Sequence, residues 1–248
     1  LFATVTAYSF VLAVGLLAGT ISGVVGTGSS IMLMPVLVYA FGPKEAVPIM
    51  AVAAIMANAS RILAWWREVD WRATAAYSAT GVPAAVLGAR TLLALPPRAV
   101  DLSIGTFLIA MVPVRHWLKR HAVKLGLWHL AVGGAVIGYL TGIVVSTGPL
   151  SVPLFVFYGL ERGAFLATEA ASSLGLYVAK SITFQRFGAL NADTLTKGLI
   201  AGSSLMAGAF IAKGFVLKMN PDTFRLVMDG IMLAAGLSML WNGFTVTP

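Results

Sequence analysis

Two short runs of glycine and hydroxyl residues interrupt an otherwise apolar chain: Gly26-Thr27-Gly28-Ser29-Ser30 and Ser146-Thr147-Gly148-Pro149. Each stands between a long apolar segment and a short one. Ser, Thr and Pro there occupy positions that favour the start of a helix. A helix start presents free N–H groups and a partial positive charge, which together bind a small oxyanion. The hydroxyls of Thr27, Ser29, Ser30, Ser146 and Thr147 add donors, and Gly26, Gly28, Gly148 and Pro149 shape the turns. The competing reading is two ordinary capped turns at a membrane surface. Helix-breaking residues at membrane depth occur only where backbone is buried in protein or lines a wet cavity.

A second group lies on helical spacing. Glu169, Ser172, Ser173, Tyr177 and Lys180 fall at i, i+3, i+4, i+8 and i+11, so they share one face. Asn58 and Arg61 stand at the corresponding place of an earlier segment. Ionisable residues within a span face the bundle interior and mark a pathway. Arg61 and Lys180 therefore read as a pair of cations attracting an anion. Both also lie about one turn from a segment end, which leaves snorkelling to the interface open. Glu169 and Asp229 are candidate proton carriers, although Arg225 precedes Asp229 by four residues and could hold it in a local ion pair.

Other chemistries find little here. His116, His121 and His129 cluster in or beside one basic stretch, and no H-E-x-x-H is present. Ser22 lacks both the G-x-S-x-G spacing and a histidine within a span. The chain has no cysteine, which excludes disulfides and thiolate metal sites. No nucleotide-phosphate motif occurs. An enzyme is disfavoured, and no metal or other cofactor is expected.

These residues must be positioned by a membrane bundle. Of 248 residues, 58% are hydrophobic and 10% charged, against about a quarter charged in a soluble domain. Ten apolar segments emerge between Pro, Gly and charge clusters. The first five run approximately Val5 to Val25, Ser29 to Phe41, Ala46 to Trp66, Trp71 to Leu93 and Arg98 to Trp117. The second five run Leu127 to Val145, Pro149 to Tyr158, Ala164 to Phe184, Ala192 to Phe215 and Pro221 to Trp241. The longer ones suffice for a hydrocarbon core about 30 Å thick, while the second of each set covers only about half to two-thirds of it. The first segment lacks a basic n-region and a cleavage site, so it reads as a permanent span. The net charge of +8 sits at segment ends, which fits membrane orientation rather than nucleic-acid binding.

The two sets match in register. Gly15, Gly19 and Gly23 recur as Gly134, Gly138 and Gly142, each 119 positions later, as do Arg61 as Lys180 and Arg67 as Arg186. Pro35 and Pro153 correspond at 118 and Gly88 and Gly208 at 120. The fold expectation is an all-α polytopic membrane protein of two homologous repeats. They cover residues 1–118 and 127–248, joined by a basic linker at 119–126. The glycine rows read as close-packing faces, or as a smooth path for a substrate. Arg115, Lys119, Arg120 and Lys124 place the linker in the cytoplasm. If the short segments cross, the halves are inverted and one more basic residue lies inside than if they turn back, which favours inversion. Trp65, Trp66, Trp71, Trp117, Trp128 and Trp241 all stand at segment boundaries, as an interfacial belt requires.

The glycine row running into Gly26-Thr27-Gly28 and Pro35, followed by Lys44-Glu45-Ala46 and Val69-Asp70-Trp71-Arg72, resembles the sulfite exporter TauE/SafE family. Gly138-x3-Gly142, Thr147-Gly148 and Pro153 carry the same resemblance in the second half, and it spans about Leu12 to Phe244. A third glycine is frequent in that family where this chain has Ser29, and another small residue where it has Ser30. Here hydroxyl donors replace backbone freedom. The resemblance implies secondary transport of a small sulfur-containing anion, such as sulfite or sulfoacetate, usually outward across a bacterial inner membrane. Another carboxylate or inorganic anion is the alternative, and a non-transporting scaffold a weaker one. The expected site comprises both loops with Asn58, Arg61, Ser173 and Lys180, and the halves rock about it. Expected partners are the anion, the bilayer and, as an allowed assembly, a second copy of the chain.

Overall fold

The computed structural model describes residues 2–25, 29–96, 98–99, 102–103, 105–106, 109–110, 112–113, 125–143, 148–160, 162–215, 233, 237, 240–241 and 244. Among them the secondary structure is helical, with no strand. The helices are α1 (Phe2–Val25), α2 (Ser29–Phe41), α3 (Pro43–Trp65), α4 (Trp71–Ala94), α5 (Leu127–Ile143), α6 (Gly148–Tyr158), α7 (Arg162–Arg186) and α8 (Ala192–Phe215). A 3-10 turn, Trp66–Glu68, follows α3. These eight match the expected segments to within three residues at every end. The regions of the fifth and tenth expected segments contribute only scattered described residues, all helical. The basic linker falls almost wholly outside the described residues.

Local chemistry explains the ends. Helix α3 begins earlier than apolar periodicity suggests because Pro43 takes its first position, where a missing N–H costs nothing. Asp70 caps α4, its carboxylate accepting from Arg72 N at 2.9 Å and Ala73 N at 3.0 Å. Gly159 and Gly188, at φ 107° and 76°, stop α6 and α7. The amides of Leu160 and Ala189 turn back to Phe155 O and Phe184 O at 3.2 and 2.9 Å, the closing pattern that a left-handed residue permits.

Close approach of backbones sets the packing. A Cβ at Gly19 would overlap the Leu205 carbonyl, and one at Gly208 the Leu16 carbonyl. Likewise Gly138 lies against the Gly81 carbonyl, and Gly142 against Ala85 and Gly88. Thus α1 packs on α8 and α5 on α4, glycine face to glycine face. The contacts advance together along both helices of each pair, so each pair runs parallel. The close-packing reading of the glycine rows accounts for these faces.

Helices α5 and α6 run antiparallel. Leu125 N, just before α5, donates to Phe157 O near the end of α6 at 3.0 Å. The Tyr158 hydroxyl reaches Asp70 at 3.4 Å, and Asp70 N donates to Thr168 Oγ1 at 2.9 Å. One end of the bundle, the linker end, therefore gathers the starts of α4, α5 and α7 with the ends of α3 and α6. The far end gathers the starts of α3 and α8 with the ends of α4 and α7. There Lys197 bridges Glu45 at 2.9 Å and Asp193 at 2.6 Å, and Tyr8 of α1 meets Phe41 of α2 with ring centroids 5.7 Å apart. So α2 ends beside the early part of α1.

Two described stretches, Lys44–Glu68 and Ala192–Ala212, are long and apolar enough to cross a membrane. Leu17, Leu63, Leu87, Val136 and Phe210 point outward and are exposed, as a lipid-facing wall requires. Trp66, Trp71, Trp128 and Trp241 are exposed as well, the first three at the linker end.

Candidate functional site

Helix α7 carries the polar face that the spacing predicts, and the structure buries it. Glu169 is 3% exposed and Lys180 1%, with Ser172 and Ser173 also inside. Arg61 on α3 is buried too, at 8%. Neither cation snorkels. Both are covered by protein although each lies near a helix end in sequence.

The two cations read as attracting an anion have separate partners. Arg61 and Lys180 stand far apart, since Arg61 meets Glu169 and Lys180 lies eleven residues further along α7. At 1.5 Å per residue that is about 16 Å along the helix. Arg61 Nη1 donates to Glu169 Oε2 at 3.1 Å. Arg61 Nη2 donates to Asn58 Oδ1. The other carboxylate oxygen, Oε1, accepts from Ser151 Oγ at 3.0 Å and Ser173 Oγ at 2.9 Å. Glu169 thus has three donors from three helices, and the charges of the pair cancel. A buried charge left unpaired is costly, and this arrangement avoids that cost for both members.

The starts of the two short helices both meet α7, one at this pair and one about two turns further on. Ser151 lies in the first turn of α6. Ser29 and Ser30 lie in the first turn of α2, both buried, and Ser30 shares a hydrogen bond with Tyr177 of α7. Lys180 donates to the Thr141 carbonyl at 2.6 Å, near the end of α5, and stands 5.5 Å from the Phe184 ring centroid. The α7 face therefore runs from the start of α6 to the start of α2. Gly26, Thr27, Gly28, Ser146 and Thr147 lie outside the described residues, as does Asp229. Gly148 and Pro149 begin α6.

Beyond Phe184 a cleft of about 300 Å³ opens at the far end, lined by Lys44, Glu45, Phe184, Asn191 and Thr194 among others. Phe184 forms its inner wall and lies under the Lys180 ammonium.

Sequence reasoning missed Ser151, Thr141 and Tyr77. Ser151 was legible, standing three residues after Gly148 as a first-turn hydroxyl. Thr141 contributes a carbonyl, which no side-chain pattern reveals. Tyr77 on α4 resembles core, and it is fully buried, yet its hydroxyl has no hydrogen-bond partner among the described residues. No group of three or more metal-ligating side chains occurs among the described residues.

A family model described as sulfite exporter TauE/SafE matches residues 11–239. The probable membrane transporter protein YjnA of Bacillus subtilis (strain 168) is 21% identical over 254 residues, covering 93% of this chain and 98% of that protein. No solved structure matches. With a family match running through every described helix, the chain belongs to the sulfite exporter TauE/SafE family, a family of membrane transporters.

Proposed function

We propose that the protein is a multi-pass secondary transporter of the bacterial inner membrane, exporting a small sulfur-containing anion such as sulfite or a two-carbon organosulfonate such as sulfoacetate. The carrying observation is that both short-helix starts meet the buried polar face of α7 that pairs with Arg61, Ser151 at Glu169 and Ser30 at Tyr177, about two turns further on. Helix starts supply N–H donors and partial positive charge. Arg61 supplies a planar set of donors matched to oxyanions. The loops at 26–28 and 146–147 complete the site in this reading.

The two halves are read as inverted repeats that rock about that site. Three contacts support this. Helices α1 and α5, which correspond at 119 residues, pack in parallel on α8 and α4 respectively. Leu125 and Phe157 put the start of α5 and the end of α6 together at the linker end. Tyr8 and Phe41 place the early part of α1 beside the end of α2 at the opposite end. The two hairpins then enter from opposite sides, and the far-end cleft leading to Phe184 and Lys180 is a vestibule.

The test is binding to purified protein across sulfite, sulfate, sulfoacetate, taurine and acetate, followed by flux from proteoliposomes. Saturable binding of a sulfur oxyanion and its counterflow are expected. Absence of binding to every anion would sink the proposal, and binding without flux would leave a membrane receptor or scaffold.

A further inference from the structure

We infer that Glu169 is a built-in substitute for the transported anion, and that an anion takes its place on Arg61 together with one proton taken up by Glu169. The inference rests on the proposed transport function and names the coupling ion of that same site.

The observation is the direct ion pair. In this state Arg61 is occupied, its guanidinium donating to Glu169 Oε2 at 3.1 Å and to Asn58. An arriving anion would meet a neutral pair. Adding a monoanion alone would leave two negative charges on one buried cation, and a dianion such as sulfoacetate three, which the low-dielectric interior disfavours strongly. One proton on Glu169 removes one of them: a monoanion then leaves the site's net charge unchanged, and a dianion leaves it at minus one. The proton bonds to a Glu169 carboxylate oxygen, the Arg61–Glu169 bond breaks, and the freed guanidinium pairs with the anion. No other covalent bond changes.

The surroundings of Glu169 can hold the protonated form. Ser151 Oγ on α6 and Ser173 Oγ on α7 now donate to Oε1, and a hydroxyl rotates to accept when its partner becomes a donor. Tyr77 on α4 lies within electrostatic reach of Glu169. Its hydroxyl and the Ser172 hydroxyl are buried and have no partner among the described residues. They offer further bonds to a carboxyl group that leaves Arg61. From α7 itself, Tyr177 also senses Glu169, while Lys180 is three turns away. The same arrangement suits a proton better than sodium: a proton needs one bond to a single carboxylate oxygen, whereas a sodium ion needs several oxygen ligands at once, and Arg61 holds one oxygen of Glu169 at 3.1 Å.

Linkage makes the coupling reciprocal: if a proton promotes anion binding, the anion promotes proton binding by the same factor. The experiment is titration of the purified full-length protein with sulfoacetate, whose charge is constant between pH 7 and 9, in lightly buffered solution with a pH indicator. Expected are uptake of one proton per anion bound and an affinity that falls about tenfold per pH unit above neutrality. Glu169→Gln should bind the anion at least tenfold more tightly at pH 8, with the pH slope and the proton uptake both gone. Sodium should change nothing. Anion binding without proton uptake in the wild type overturns the inference while leaving the transport function standing, and so does a sodium requirement. Because proton uptake is read on the unmodified protein, that result decides even if Glu169→Gln does not fold. Failure of every anion to bind overturns the transport function, and this coupling with it.

Discussion

Replacing Arg61 by Met strips the counter-charge from a carboxylate that is 3% exposed. At 3.1 Å and an effective dielectric near 20, the pair's Coulomb attraction is about 5 kcal/mol. Most of that attraction offsets the desolvation of two charges, so the intact pair contributes little net stability. Breaking it from one side is different, because the surviving charge keeps its desolvation cost and loses its compensation. Arg61→Met is therefore expected to destabilise the protein by about 3–5 kcal/mol, whereas Arg61→Met with Glu169→Met should lie within about 2 kcal/mol of wild type. The coupling energy between the two sites is then several kcal/mol, well above the 0.3–0.5 kcal/mol within which independent sites add. Reversible unfolding of the four proteins in mixed micelles, with denaturing detergent as the perturbant, measures the cycle. If the double variant loses as much as the two single variants together, the pair is not an energetic unit and the reasoning about its neutrality fails.

Other outcomes follow from the same contacts. Gly138→Leu should prevent stable folding, since its side chain would enter the Gly81 backbone, whereas Gly126→Ala, with only the His129 ring at 3.9 Å, should leave thermal stability unchanged. Asp70→Ala should cost about 1 kcal/mol through loss of the α4 cap, with Asp70→Asn recovering most of it in the same unfolding assay. Ser30→Ala with Ser151→Ala should weaken sulfoacetate binding about tenfold without abolishing insertion, and unchanged affinity would remove the short-helix starts from the site. The chain has no cysteine, so single cysteines report sidedness directly. Positions 67 and 128, at the linker end, should label from one side of the membrane and positions 44 and 187 from the other.

Much of the helical framework was legible because its causes are local. Apolar runs, Pro43 at a helix start, the Asp70 cap and the Gly159 and Gly188 stops all act within a few residues, and segment ends were read to within three. The α7 face was legible for the same reason, since helical spacing alone puts Glu169, Ser173 and Lys180 in line. Matching sequence positions singled out Arg61 and Lys180 but not the partner each one has, Glu169 and the Thr141 carbonyl. Correspondence between two segments says nothing about which side chains meet when those segments pack antiparallel.

The sequence by itself determined where helices begin and stop, which faces lack side chains, and which charges lie within apolar segments. Tertiary structure alone decided that Arg61 meets Glu169, 108 residues away, that Ser151 and Ser30 reach opposite ends of one α7 face, and that a carbonyl of α5 receives Lys180. The reason is physical. Helix formation is governed by hydrogen bonds to the preceding turn and by local hydropathy, whereas a buried charge finds its partner only after glycine faces have brought distant backbones into contact.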